Sequence, residues 1–329
     1  MNKLALGAFA LSLTVSSFTF AEEQKISFES KELAKGLYMI QGVGGFAGGN
    51  IALSVGDDGV IMIDDSMPPL LDTLNAKIKE VAGAPVDFLI NTHVHGDHTG
   101  NNAAFGAGAT HIVAHENMRK RMLEKGVQGQ NGMVDAPKDA LPVITFTHHM
   151  NFHLNDQPAH LFHVGRAHTD GDTVIHFTSA NVIHTGDAFF NGMFPFIDLN
   201  SGGTVAGYIA AQKRIYGMCN ATTKLIPGHG PLANREDLKA SIDMLEDARK
   251  IMLGLIKQGL SEEDIVAKNP LKKYHDKWNW GFITTEKMTR TLYTSLSKKK
   301  TDDGHNHHSH GGHNHSEHNH NEHSHGDHH

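Results

Sequence analysis

Residues 93–98, His-Val-His-Gly-Asp-His, place three imidazoles and a carboxylate within six positions, directly after the apolar run Val86–Asn91. Neutral imidazole and carboxylate are the donors that zinc and similar divalent cations take. The spacing does not suit two ligands on one helix face, which needs i and i+4. In extended backbone, however, i and i+2 project to the same side, so His93 and His95 could hold one ion together. Gly96 permits a sharp turn that aims Asp97 and His98 elsewhere, toward a second ion. Four donors do not close two sites. His168 in "RAHTDGD", Asp187 in "HTGDAFF" and His229 in "PGHG" each follow an apolar run, so all could meet at one rim of the strands.

The elements that must position them alternate between short β-type runs and longer helical ones. "GLYMIQG", "NIALSVG" and "GVIMIDD" predict consecutive strands, "PPLLDTLNAKIKEVAG" a helix opened by Pro, and "VDFLINT" the strand that delivers His93. "THIVAHE" predicts a strand and "NMRKRMLEKG" a helix. A second strand-rich block runs "PVITFTH", "MNFHLND", "HLFHVG", "DTVIHFT" and "NVIHTGD". A helix over "GGTVAGYIAAQKRIYG" follows, then the strand "KLIPGHG" and a mainly helical segment, 234–298. Two strand blocks, each followed by helix, predict an α/β fold of two face-to-face sheets with helices outside. "GDDGVIMIDDSM" and "TSANVIHTGDAFF" share one shape, as a duplicated half-domain would.

The ordered set "HVHGDH", "AHTDGD", "HTGD" and "PGHG", with "DD" ending an earlier strand, resembles the metallo-β-lactamase-fold superfamily over residues 34–235. The resemblance implies a four-layer αβ/βα sandwich, spanning residues 22–298 here, with two zinc ions at one edge. It assigns His93, His95 and His168 to the first ion, Asp97, His98 and His229 to the second, and Asp187 to both. A hydroxide held between two cations is available near neutral pH as a nucleophile, oriented by Asp97 and Asp187. Asp65 matches the family's acidic residue that supports the site from behind, and Asp64 could serve instead. His184, three residues before Asp187, is a second supporting candidate. Nitrogen and oxygen donors accept iron or manganese as well as zinc. His111, His115 and His176 read as structural, and His148, His149, His153, His160 and His163 as surface or supporting residues.

Two segments are expected to shape a pocket. "QGVGGFAGGN", with Phe46 at its tip, has the composition of a mobile flap. "FFNGMFPFIDLNSGG" offers Met193, Phe194 and Phe196 to the apolar part of a small-molecule substrate. A formal charge of −7 counts against binding nucleic acid through its phosphates. A single Cys excludes an internal disulfide, so the core must carry the fold. Residues 1–21 read as a signal peptide and predict export to a periplasm, with no membrane attachment after cleavage. From His305 to His329, 12 of 25 residues are His, and no apolar residue offers a core. Residues 299–329 are therefore expected to be a disordered tail that binds zinc through His305, His307, His308, His310, His313 and His315.

Within the superfamily, export favours hydrolysis of a cyclic amide or ester, a β-lactam or lactone. Glutathione thioesters, substrates of the glyoxalase II kind, are mainly cytosolic and form the alternative. Asp187 stands where β-lactamases place Cys or Ser, which weighs against lactams. A non-enzymatic reading makes the chain a zinc buffer built around its tail.

Overall fold

The computed structural model describes residues 25–129 and 132–297. The signal peptide expected at 1–21 and the His-rich tail lie outside the described residues. Strands β1 (Ser27–Ala34), β2 (Leu37–Val43), β3 (Ile51–Gly56) and β4 (Gly59–Ile63) form an antiparallel meander. Helix α1 (Leu71–Ala82) crosses to β5 (Phe88–Ile90), parallel to β4. Two short helices, α2 (Gly96–Thr99) and α3 (Asn102–Ala107), precede β6 (His111–His115). Next come α4 (Glu116–Lys125), a small hairpin of β7 (Val127–Gly129) and β8 (Gly132–Val134), and β9 (Ile144–Phe146). The first sheet has the order β1-β2-β3-β4-β5-β6-β9.

The second sheet takes β10 (His149–Phe152), β11 (Ala159–His163), β12 (Thr173–Phe177), β13 (Val182–Phe190), β14 (Lys224–His229) and β15 (Ala233–Asn234), in that order. Helix α5 (Val205–Met218) joins β13 to β14. Helices α6 (Arg235–Lys257), α7 (Glu262–Lys268), α8 (His275–Trp278) and α9 (Thr285–Ser297) follow. Asn234 opens α6 with a reciprocal capping box to Asp237, which satisfies two amides that the helix start leaves over. No described helix is long and apolar enough to cross a membrane.

Strand periodicity sorts the side chains into layers. Ile61 and Ile63 of β4 enter the cluster between the sheets, where they join Leu161, Ile175, Phe177 and Ile226 of the second sheet. Val60 and Met62, on the opposite face, pack with Leu74 and Ile78 of α1. Beyond the second sheet, Val174, Ile183 and Leu225 pack with Ile215 of α5 and with Leu238 and Ile242 of α6. The order helix, sheet, sheet, helix is the expected four-layer sandwich. Strands β4 and β13 are buried because both their faces are covered; β4 is apolar throughout, whereas β13 also carries His184, Thr185 and Asp187.

Two expectations need correction. "PVITFTH" belongs to the second strand block by its order in the sequence, yet β9 pairs with β6 in the first sheet, Val113 opposite Ile144. Apolar alternation shows which face of a strand is buried but not which neighbour it pairs with. The strand predicted over "VDFLINT" ends at Ile90, and residues 92–94 form a bend. The sequence echo does have a structural counterpart. In each sheet a strand pairs antiparallel with its predecessor (β3–β4, β12–β13) and parallel with its successor across a helix (β4–α1–β5, β13–α5–β14).

Candidate metal centre

Four chain segments meet at one edge of the sandwich. The bend and α2 carry His93, His95, Asp97 and His98; the β11–β12 loop carries His168; β13 carries Asp187; β14 ends at His229. The seven donors fall into two groups. His93, His95, His168 and Asp187 each present an atom within 4.8 Å of the others, and Asp97, His98 and His229 do the same. Asp187 faces both groups. Its Oδ2 lies 3.4 Å from His168 Nε2 and 3.7 Å from His93 Nε2, and its Oδ1 lies 3.2 Å from His98 Nε2 and 3.5 Å from His229 Nε2. Asp97 Oδ2 is 3.2 Å from His229 Nε2.

Hydrogen bonds on the outer side of the rings select which nitrogen faces inward. His168 Nδ1 donates to the Phe196 carbonyl at 2.7 Å, which leaves the Nε2 lone pair for the site. His98 Nδ1 donates to Asp64 Oδ2 at 2.8 Å, and His95 Nε2 donates to Asp198 Oδ2 at 3.0 Å, so His95 presents Nδ1. Thr92 Oγ1 donates to Asp64 Oδ2 and can therefore accept from His93 Nδ1, 3.0 Å away. The Asp172 carboxylate accepts from the His168 and Thr169 amides and curls their loop inward. His229 is held by stacking, with its ring centroid 5.0 Å from Phe190 and 5.9 Å from Phe46.

Three observations fit divalent cations in the two groups. His93 Nε2 and Asp187 Oδ1 are buried without a hydrogen-bond partner. Imidazole nitrogens face one another, His95 Nδ1 to His168 Nε2 at 2.8 Å and His98 Nε2 to His229 Nε2 at 3.3 Å. Two lone pairs so placed repel unless a proton or cation lies between them. The carboxylates Asp64, Asp97 and Asp187 form ion pairs only with imidazoles, and with no Lys or Arg, among the described residues.

The electrostatics favour positive charge in the second group. Burial is the largest influence on His98 and lowers it, yet Asp187, Asp97 and Asp64 together hold it well above the usual imidazole range. His229 is likewise raised to about 9 against burial, by Asp187 and Asp97. In the first group burial dominates. It pushes His168 down to about 4 and His93 well below its ordinary value. Burial would raise Asp97, but His98 and His229 outweigh it and hold the carboxyl at about 2.

Glycine lets backbone approach the donors. A Cβ on Gly49 would lie 2.1 Å from His98 Cε1, and one on Gly228 would lie 1.9 Å from Asp187 Oδ1. This revises the flap reading of "QGVGGFAGGN". Ala47 and Asn50 are buried, Gly49 N donates to the Asp97 carbonyl, and the segment's second half lies against the donors. Only the tip around Phe46 is exposed.

The supporting carboxylate is Asp64 rather than Asp65. Asp64 receives His98 Nδ1 as well as the Thr92 amide and hydroxyl. The Asp65 carboxylate accepts from the Asn101 amide instead. The turn explains the choice, because Asp64 sits at φ 60°, a left-handed conformation that no pattern of apolar residues announces. His184 touches no donor side chain. Its ring bonds the Asn50 carbonyl and the Gly186 amide and so supports the backbone beside Asp187.

A cleft of about 870 Å³ opens over both groups. Phe46 and Phe196 line it, as expected. Phe194 does not, being fully buried among the C-terminal helices, and Met193 lies outside the lining. Met67, Phe190, Trp280 and Phe282 line it without having been singled out. For Trp280 and Phe282 the signal is present in "WNWGF", where aromatics at every second residue around Gly281 do not suit a helix face. Asp198, the partner of His95, had no signal beyond following "FPFI".

A family model described as the metallo-beta-lactamase superfamily matches residues 44–250. Among solved structures, a metallo-beta-lactamase from Pontibacter korlensis matches with a TM-score of 0.56 and 17% identity, over 67% of this chain and 99% of that one. The 2,4-dinitroanisole O-demethylase subunit alpha of Nocardioides sp. (strain JS1661) is 24% identical over 209 residues, 62% of this chain. The chain spans 60% of that curated relative's length.

Proposed function

Because the chain belongs to the metallo-β-lactamase superfamily, we propose that it is a periplasmic metallo-hydrolase holding two zinc ions that cleaves a cyclic amide or ester. The observation that carries this reading is Asp187, whose two oxygens face separate donor groups on the floor of the cleft. His93, His95 and His168 would hold one ion, and Asp97, His98 and His229 the other, with Asp187 serving both. Bound divalent cations supply Lewis acidity for a substrate carbonyl and lower the pKa of nearby water.

The chain's own residues do the rest. Asp97 is ionised at neutral pH and partly open to the cleft, so its carboxylate can accept a hydrogen bond from an attacking water and orient it. The outer hydrogen bonds of His95, His98 and His168 hold their inner nitrogens in place without reorganisation. The largely apolar walls lower the polarity around the donors, which strengthens the electrostatics there. The signal-like composition of residues 1–21 supports export, and the His-rich tail supports zinc capture close to the site.

The test is metal analysis and hydrolysis by protein lacking residues 299–329. It is expected to retain about two divalent ions per chain, as two-metal hydrolases do. It should open a lactone or a chromogenic lactam and stop when a chelator is added. Protein that binds metal but cleaves no lactone, ester, thioester or lactam would replace this reading with zinc buffering.

A further inference from the structure

The three donors of the second group share one neighbour, the dipeptide Gly49–Asn50 at the entry to β3. Gly49 N donates to the Asp97 carbonyl at 3.0 Å, and a Cβ on Gly49 would lie 2.1 Å from His98 Cε1. Asn50 is buried, and its Nδ2 donates to the carbonyls of Pro227 at 2.9 Å and Gly230 at 2.8 Å, on either side of His229. The Asn50 amide donates to the Gly228 carbonyl at 2.8 Å. Gln41 Nε2, from the other end of the same segment, also donates to the Gly230 carbonyl, at 3.0 Å.

These bonds matter because the His229 ring is not tied from outside. His95, His98 and His168 each hold an outer nitrogen in a hydrogen bond. Among the described residues, the polar contacts of the His229 ring all run through Nε2, to His98, Asp97 and Asp187. Its aim therefore follows from its backbone, which residue 50 clamps from both sides. We propose that Asn50 is the positioning residue of His229, and that through it the affinity for the ion held by Asp97, His98 and His229, but not for the other ion, depends on the docking of segment 41–50. This rests on the two-ion reading and adds an asymmetry to it. Phe46, at the exposed tip of that segment, stacks on the same ring and lines the cleft, so a ligand that moves the tip reaches one ion only. The coupling is reciprocal by linkage, so filling the second group orders the segment.

The test is hydrogen exchange of the full-length protein at free zinc levels fixed by a chelator buffer, which zinc on the His-rich tail does not alter. Peptides holding His229, His168 and residues 41–50 are followed by mass spectrometry. In the wild type, zinc should protect the 41–50 peptide with the same midpoint as the His229 peptide. Asn50→Ala should move that midpoint to about 10–100-fold higher free zinc, the usual cost of losing a supporting partner, and leave the His168 midpoint in place. Gln41→Ala, which removes one of the two donors to Gly230, should shift it in the same direction by less, and decides the matter if Asn50→Ala does not fold. Equal shifts in the His229 and His168 peptides would reduce Asn50 to a structural residue and overturn the proposal, as would no shift in either. Protection of 41–50 that follows the His168 peptide would overturn it too, with the two-ion reading left standing. Wild-type protein in which none of the peptides responds to zinc would overturn the two-ion reading and this inference together.

Discussion

His95 Nε2 lies 3.0 Å from Asp198 Oδ2, while Nδ1 of the same ring points at His168. Asp198 is itself anchored, because its Oδ1 accepts the amides of Asn200 and Ser201 and its own amide donates to the His168 carbonyl. One carboxylate thus ties together the loops that deliver two donors of the first group. Burial would raise its pKa, but the hydrogen bonds from His95 and Ser201 together outweigh that and keep it ionised.

Replacing Asp198 with Ala frees the His95 ring to rotate and to exchange its tautomer. The expected result is metal affinity lowered by about 10–100-fold, the usual cost of losing such a partner, with the fold retained. Asn at this position keeps an acceptor oxygen and should recover part of the loss. Competition with a fluorescent chelator, alongside circular dichroism, measures both. Unchanged affinity in Asp198→Ala would deny Asp198 a positioning role.

Asp64 and Asp65 are adjacent and equally buried, yet their removal should differ in kind. Asp64→Ala strands His98 Nδ1 and the Thr92 amide and hydroxyl, each buried group costing about 1–3 kcal/mol when left unpaired. It should lower the melting temperature and release the ion held by Asp97, His98 and His229. Asp65→Ala removes one bond to the Asn101 amide and should cost stability while leaving the metal count unchanged. Thermal unfolding and elemental analysis of the two variants separate the cases, and equal metal loss in both would refute the distinction.

Cys219 follows α5, half-buried, with its Sγ donating to the Ile215 carbonyl at 3.2 Å. Burial penalises the thiolate and pushes its pKa up to about 11. The direction is toward inertness, because the reactive form appears only as pH rises toward that value. At pH 8 the folded protein should react with an alkylating agent about two orders of magnitude more slowly than the urea-unfolded chain, whose thiol titrates near 8.5. A folded-state rate that levels off below pH 9 would contradict the shift.

Periodicity and motif order carry a long way here. Ile61 and Ile63, against Val60 and Met62, mark a strand covered on both faces. The alternation of strand and helix reads as layered sheets because each apolar face must be buried. The donors are legible because each follows an apolar run, although Asp187 lies inside β13, which runs on to Phe190, rather than in the loop that its sequence suggests. What the residue order leaves open depends on direction and neighbourhood. A left-handed turn at Asp64 aims that carboxylate, and not Asp65, at His98. Tertiary pairing sends β9 to the first sheet, and packing buries Phe194 while leaving Phe196 to face the cleft. Asp198 and Trp280 join the site from 103 and more residues beyond His95, through contacts between loops that no local pattern encodes. Local periodicity follows from burying one face of an element. The choice among distant partners follows only once the whole chain competes for the same space.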